Sequence, residues 1–126
     1  MVGVLVRNGE RRVLVVEDEA LIASLIESVL GDAGFSVVGP IATIASALAT
    51  IERERLDVAV LDIRIHDSQA YAIADALAAR GIPFLFVSGF ARKDMPPNYR
   101  HYAYIPKPFE PEAILTALDR MVGPLH

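Results

Sequence analysis

Polar residues stand at the ends of four apolar runs. Glu17-Asp18 follows Val13 to Val16, Asp62 follows Val58 to Leu61, Ser88 follows Pro83 to Val87, and Lys107 follows Tyr104-Ile105-Pro106. Three carboxylates, one hydroxyl and one ammonium can do phosphoryl chemistry if the fold gathers them. Neighbouring carboxylates repel and raise one another's pKa unless a cation joins them. Their oxygens are hard and no Cys or His accompanies them, which suits Mg2+ far better than zinc or copper. Asp62, beside a metal and an ammonium, becomes a nucleophile that can receive a phosphoryl group as a mixed anhydride. The metal and Lys107 would stabilise charge on the transferring oxygens, and the Ser88 hydroxyl could donate to an incoming oxyanion.

Each residue alone has a plainer reading. An Asp after an apolar strand is an ordinary helix cap or turn former. Glu17-Asp18 could cap a helix beginning near Ala20. Lys107 would be a surface lysine and Ser88-Gly89 a turn. The functional reading depends on all five meeting, so the question passes to the elements that carry them.

Val13 to Val16 is apolar without alternation, as a strand reads when helices cover both its faces. After Glu19 the period changes. Leu21, Ile22, Leu25, Ile26, Val29 and Leu30 recur at helical spacing, and Gly31 and Gly34 end the helix. "FSVVG" reads as a second strand closed by Gly39-Pro40. Ile44, Leu48 and Ile51 mark a second helix. "DVAVLD" is the third strand, and Ser68 can cap a third helix that carries Tyr71, Ile73, Ala74, Leu77 and Ala78 up to Gly81. "PFLFVSG" is the fourth strand and "YAYIPKP" holds the fifth. Glu110-Pro111 opens the last helix, where proline's missing N–H costs nothing. Between the last two strands, Met95-Pro96-Pro97 opposes a regular helix, because each proline lacks a donor and restricts its predecessor. The fourth helix is expected to be short or irregular.

The order is strand then helix, five times. Short crossovers of this kind imply right-handed connections and a parallel sheet with helices on both faces. The expected fold is α/β, a three-layer sandwich. In such sheets ligands bind outside the carboxyl ends of the strands, where all five polar positions fall. Residues 1 to 10 are expected to form a loose tail, and residues 11 to 123 one domain with no output domain after it.

Composition narrows the function. The chain has 126 residues, 53% of them hydrophobic and 22% charged, the balance of a soluble globular domain. Sixteen acidic against twelve basic residues give a net charge of −4, which argues against direct nucleic-acid binding. No apolar run is long enough to cross a bilayer. The N-terminus lacks the basic lead and cleavage site of a signal peptide. Without cysteine there is neither a disulfide framework nor a thiolate metal site, which fits a cytoplasmic protein.

The blocks "VLVVEDE", "VAVLDIRI", "FLFVSG" and "YAYIPKPF" together resemble the receiver domain of two-component response regulators, over roughly Arg12 to Val122. The resemblance implies a flavodoxin-like (βα)5 fold with strand order 2-1-3-4-5. It makes Asp62 the phosphoacceptor. Asp18 binds Mg2+ directly, Glu17 does so mainly through water, and the backbone carbonyl of Arg64 supplies a further ligand. Ser88 would hydrogen-bond the phosphoryl group and Lys107 would pair with it. Tyr104 would be the switch aromatic that turns inward as Ser88 moves, and the Lys107-Pro108 bond would be cis. The "PFLFVSGF" block also resembles a subgroup with a Phe-Ala-Thr-Gly-type block at strand four, whose fourth helix tends to be irregular. Many receivers have proline four residues and glycine eight residues after the phosphoacceptor. Here His66 and Ala70 stand there, so the loop into the third helix should take a different course.

The resemblance implies a phosphorylation-controlled signalling switch rather than a metabolic enzyme. The phosphoryl donor would be a sensor histidine kinase or a histidine phosphotransfer protein. Phosphorylation would reshape the face of the fourth helix, fifth strand and last helix for a downstream protein partner, with a weak homodimer through that face a further expectation. The expected form is a stand-alone receiver; the alternatives are a receiver within a multidomain regulator and a degenerate receiver acting only as an interaction module. Haloacid-dehalogenase-type phosphatases also use a strand-end Asp, but place a second Asp two residues on. Arg64 holds that position and cannot supply a proton near neutral pH. Neither G-x-G-x-x-G nor G-x-x-x-x-G-K-[ST] is present, which argues against dinucleotides and ATP.

Overall fold

The computed structural model describes residues 10–123. The expected N-terminal tail lies outside the described residues, except for Glu10. Five strands form one parallel sheet: β1 (Arg11–Val16), β2 (Phe35–Ile41), β3 (Val58–Leu61), β4 (Phe84–Ser88) and β5 (Ala103–Pro106). Their spatial order is β2-β1-β3-β4-β5, the flavodoxin-like order. Four α-helices connect or follow them: α1 (Ala20–Asp32), α2 (Ile44–Arg53), α3 (Tyr71–Ala79) and α4 (Pro111–Val122).

The three central strands, β1, β3 and β4, are buried on both faces, as their unbroken apolar runs require, while the edge strands β2 and β5 are half-buried. Leu14, Val16, Ala59, Leu61 and Phe86 face α2 and α3, packing on Ala47, Ile51, Ile73 and Leu77. Val13, Val15, Val58, Val60 and Leu85 face α1 and α4, packing on Ile26, Leu30, Ile114 and Leu118. Alternation along each strand sends successive side chains into opposite layers. Register sets where the polar ends fall. Val16 pairs with Leu61, so the next residues, Glu17 and Asp62, leave the sheet side by side. Leu61 pairs with Phe86, and Ser88 pairs with Pro106 just before Lys107.

Several local expectations change. The α1 stripe is narrower than its six apolar residues suggested. Ala23, Ile26 and Leu30 are buried, whereas Leu21 is 88% and Leu25 43% exposed. Apolar residues cover more of the helix circumference than the sheet can receive. Ser68 caps no helix. Ser68–Gln69 pairs antiparallel with Arg64–Ile65 as a small ribbon, and α3 starts at Tyr71. The Ala70 N–H donates to the Ile63 carbonyl at 2.6 Å, and the Ala70 carbonyl accepts the Ile73 N–H at 3.1 Å, the bond a capping side chain would otherwise accept. The loop does take its own course, with His66 at φ 56° at the ribbon's turn. The fourth crossover holds two 3-10 turns, Arg92–Asp94 and Pro97–Tyr99, and no α-helix. The prolines at 96 and 97 account for the break.

Strand β2 does not close at Gly39-Pro40; it continues through a cis bond to Ile41. Gly39 has φ +107°, and a Cβ there would lie 2.8 Å from the Ile41 nitrogen and 2.9 Å from the Val15 carbonyl oxygen. Both the dihedral and the contact exclude a larger residue. The Ile41 carbonyl accepts the Glu17 N–H at 2.9 Å, so this approach also fixes the first site residue. Gly39→Ala should cost about 2 kcal/mol or more of folding stability, read from the urea midpoint at unchanged slope.

Candidate functional site

Backbone bonds continue the sheet ladder one residue beyond the strands and so place the side chains. The Asp62 N–H donates to the Val16 carbonyl at 3.0 Å, and the Lys107 N–H donates to the Ser88 carbonyl at 2.9 Å. Lys107-Pro108 is cis, as the resemblance implied. Glu17, Asp62 and Ser88 are all buried at this rim.

The five predicted positions meet in one open cleft of about 420 Å³, lined by Asp18, Asp62, Ser88 and Lys107, with Glu17 buried beneath. One carboxylate oxygen from each of Glu17, Asp18 and Asp62 lies within 4.8 Å of the others. The Lys107 ammonium is 2.9 Å from Glu17 Oε1, 2.9 Å from Glu19 Oε1 and 3.0 Å from Asp62 Oδ2. Burial alone would depress the Lys107 pKa, but the bonds to Glu19, Glu17 and Asp62 outweigh it and hold it above the ordinary lysine value. Glu17 moves the other way. Burial pushes it up to about 7, although the Glu19 N–H, bonded to its Oε2 at 3.0 Å, and Lys107 both favour the ionised form. The cluster thus carries more negative charge than its one ammonium balances.

This donor set fits a hard divalent cation. Three carboxylate oxygens converge from two strand ends, and no softer ligand stands among them. Glu17 is buried away from water, so a cation would add to what the Lys107 ammonium and the Glu19 N–H already do for its ionised form.

Ser88 Oγ accepts the Phe90 N–H at 3.1 Å, which leaves its own proton free for a ligand in the cleft. The Arg64 N–H donates to Asp62 Oδ1 at 3.3 Å, and its guanidinium sits 5.5 Å from the centroid of the Phe90 ring. His66 is mostly exposed, and its backbone N–H donates to Asp18 Oδ2 at 2.7 Å. Tyr104 is half-buried and donates its hydroxyl to the Phe90 carbonyl, while the Arg92 guanidinium lies 5.0 Å from its ring centroid. Sequence reasoning missed Glu19 and Phe90. Glu19 was visible as the third acid of "EDE", but only the fold shows that it reaches Lys107 across 88 residues.

The response regulator receiver domain model matches residues 13–119. The chain belongs to that family. Transcriptional regulatory protein PdtaR of Mycobacterium tuberculosis H37Rv is 28% identical over 117 residues, covering 90% of this chain and 57% of PdtaR. This receiver therefore spans a little over half the length of that relative. The solution structure of SdrG from Sphingomonas melonis Fr1 superposes with a TM-score of 0.79 at 34% identity, covering 90% of this chain and 97% of SdrG. The receiver domain of sensor histidine kinase PA1611 from Pseudomonas aeruginosa PAO1, solved with magnesium coordinated in its active site cleft, has the same fold. Its TM-score is 0.78 at 23% identity, covering 90% of this receiver and 98% of that chain. Among the described residues no helix is long and apolar enough to cross a membrane.

The buried Glu17 carboxyl gives this receiver a pH signature in the absence of divalent cations. Below its ordinary value of 4.5 it is protonated whether the chain is folded or not. Between 4.5 and about 7 only the unfolded chain releases the proton, so rising pH favours unfolding. Above about 7 the loss is complete, at roughly 3 kcal/mol. Glu17→Gln should therefore gain stability relative to the parent from pH 5 to pH 8 in EDTA. Chemical denaturation across that range checks it.

Proposed function

We propose that this receiver is a phosphorylation-controlled switch that accepts a phosphoryl group on Asp62. The observation that carries the reading is Asp62 itself. It is a buried strand-end carboxylate with Lys107 at 3.0 Å and two further carboxylates beside it, facing an open cleft. Asp62 attacks the phosphorus of a phosphohistidine presented by a sensor histidine kinase or a histidine phosphotransfer protein. The new P–O bond forms as the P–N bond breaks, and the imidazole leaves and takes up a proton. Lys107 pairs with a phosphoryl oxygen, and the Ser88 hydroxyl donates to another. Mg2+ held by Glu17, Asp18, Asp62 and the Arg64 carbonyl would neutralise charge on the transferring oxygens. The magnesium in the PA1611 receiver cleft supports that assignment. Water later attacks phosphorus, releasing inorganic phosphate and the Asp62 carboxylate. No multiple-turnover substrate is implied.

The donor needs to reach the cleft, and α1 borders it. Leu21 and Leu25, one helical turn apart near the Glu19 end, offer an apolar contact for a protein donor. On the output side, Tyr104 ties the fifth strand to the Ser88-to-Phe90 turn. As Ser88 moves toward the phosphoryl group, the Phe90 carbonyl that Tyr104 holds moves with it. The ring then turns, and the face of the 3-10 turns, β5 and α4 changes. A groove of about 570 Å³ lies on that face, lined by Tyr104, Ile105, Ala113 and Ala117 among others. A downstream protein would read it, and a weak homodimer there would be built on β5 and α4. The reading goes with a cytoplasmic site of action and a domain covering residues 11–123. The partial span of PdtaR favours a second reading at the level of output only, in which the same switch serves a longer regulator.

Incubation with acetyl phosphate and Mg2+ should add one phosphoryl group to the wild type and none to Asp62→Asn, read by intact mass. Equal masses for the two proteins would end the proposal. After donor removal, Arg64→Ala should lose the phosphoryl group roughly two- to fivefold faster, because the guanidinium on Phe90 covers the cleft against water. An unchanged decay would remove Arg64 from the mechanism.

A further inference from the structure

Lys107 has three ammonium protons and, in the resting protein, three carboxylate partners. A phosphoryl group on Asp62 brings oxygens that need the same ammonium. One resting partner must then give way. Glu17 cannot turn away into water, because its side chain is 1% exposed and its other oxygen is already held by the Glu19 N–H at 3.0 Å. Asp62 carries the new group and stays in place. Glu19 differs, with a side chain 60% exposed that can return to water at little cost.

Local structure supports this division. Glu19 is the N-cap residue of α1 through its backbone, and its carbonyl accepts the Ala23 N–H at 2.9 Å. Its own N–H is fixed on Glu17 Oε2 at 3.0 Å. The side chain makes no capping bond, although an acidic residue at a helix start is attracted to the open amides there. It reaches across to Lys107 instead. The backbone is pinned while the carboxylate can choose between two sites, the ammonium and the first turn of α1.

We propose that Glu19 is a positioning residue that occupies the Lys107 proton claimed by the phosphoryl group, so that its displacement limits phosphoryl uptake by Asp62. The inference rests on the phosphoacceptor reading and adds a brake to it. Glu19 sets how fast a donor charges the switch, and it moves without any change in the buried carboxylates.

The test compares wild type, Glu19→Gln and Glu19→Asp at saturating Mg2+. Intact mass follows transfer of the phosphoryl group from acetyl phosphate to Asp62 as acetate leaves. Glu19→Gln should charge roughly two- to fivefold faster than wild type. Glu19→Asp keeps the charge but is one methylene too short to hold Lys107, so it should charge as fast as Glu19→Gln. Wild-type rates in both variants would overturn the inference while leaving the phosphoacceptor reading intact. A fast Glu19→Gln with a wild-type Glu19→Asp would assign the effect to charge at the cleft mouth and would also overturn it. No uptake by the wild type would overturn both readings together. A second readout needs neither metal nor donor. In the metal-free protein, the Lys107 ammonium protons should exchange faster by 15N NMR in both variants than in the wild type; equal exchange would show that Glu19 does not hold them.

Discussion

One ammonium is asked to satisfy more negative charge than it carries, and the rest of the site follows from that. Lys107 is the cation in contact with Glu17, Glu19 and Asp62, and it is itself largely shielded from water. Shared among three carboxylates, it cannot fully stabilise any of them, and burial shows this at Glu17, whose carboxyl is held up near 7. A deficit of positive charge in a preformed cleft has two consequences. It suits the cleft to a divalent cation, and it makes the arrangement sensitive to any group that changes the local charge. A phosphoryl group at Asp62, as proposed, would add roughly two negative charges and three acceptor oxygens. Few places in the molecule could feel that addition more strongly.

The charge could not be assembled without the sheet. The carboxylates approach one another against their repulsion because ladder bonds fix their backbones. Asp62 is tied to Val16, Glu17 to Ile41, and Lys107 to Ser88. Those bonds are set by the register of strands buried on both faces, where a one-residue slip would turn every side chain into the wrong layer. The apolar core therefore supplies the free energy that holds like charges together, and the open rim of the sheet is where that strain is exposed to a ligand.

This division explains what the sequence could reveal. Each strand of the sheet's middle is a continuous apolar run, and the residue after such a run falls at the carboxyl rim whatever its neighbours are. Asp62 and Ser88 were legible for that reason, and Lys107 because it follows the shorter apolar stretch of the edge strand β5. Glu17-Asp18 was legible because a charged pair cannot continue a buried strand. The family resemblance supplied the roles proposed for Tyr104 and the Arg64 carbonyl, which no periodicity could suggest. Where contacts are settled by shape, the pattern misled. Six apolar residues in α1 suggested one wide stripe, yet the sheet receives only part of it, and Leu21 and Leu25 remain outside. Ser68 looked like a helix cap because serine prefers that role, but the Arg64 to Gln69 ribbon takes its backbone and Ala70 is the residue that caps the helix. Glu19 was invisible as a partner of Lys107 because nothing local ties the two together.

The fourth crossover shows how a broken pattern can still be ordered. Two prolines remove the donors a helix would need, and the chain replaces helical bonds with side chains. Arg100 donates to the carbonyls of Met95 at 2.7 Å and Lys93 at 2.9 Å, and Arg92 donates to the Tyr102 carbonyl at 3.0 Å. Tyr99 stacks on Tyr71 at 4.3 Å and bonds Asp75 at 2.8 Å, while Met95 is buried beneath. Arg92 also lies on the Tyr104 ring, so the clamp on this segment and the aromatic bonded to Phe90 share one side chain. A helix there would carry its own internal bonds through such a shift. A segment held by separate arginine and tyrosine contacts can yield one contact at a time. Moving a switch from mostly off to mostly on takes about 5.5 kcal/mol of preference, which no single exposed bond supplies. In the proposed switch the coupling would be spread over Ser88, Tyr104, Arg92 and the Tyr102 carbonyl that Arg92 holds. Motion started at Ser88 would be felt first along the 3-10 turns and β5, the parts that share those contacts, and only afterwards at α4.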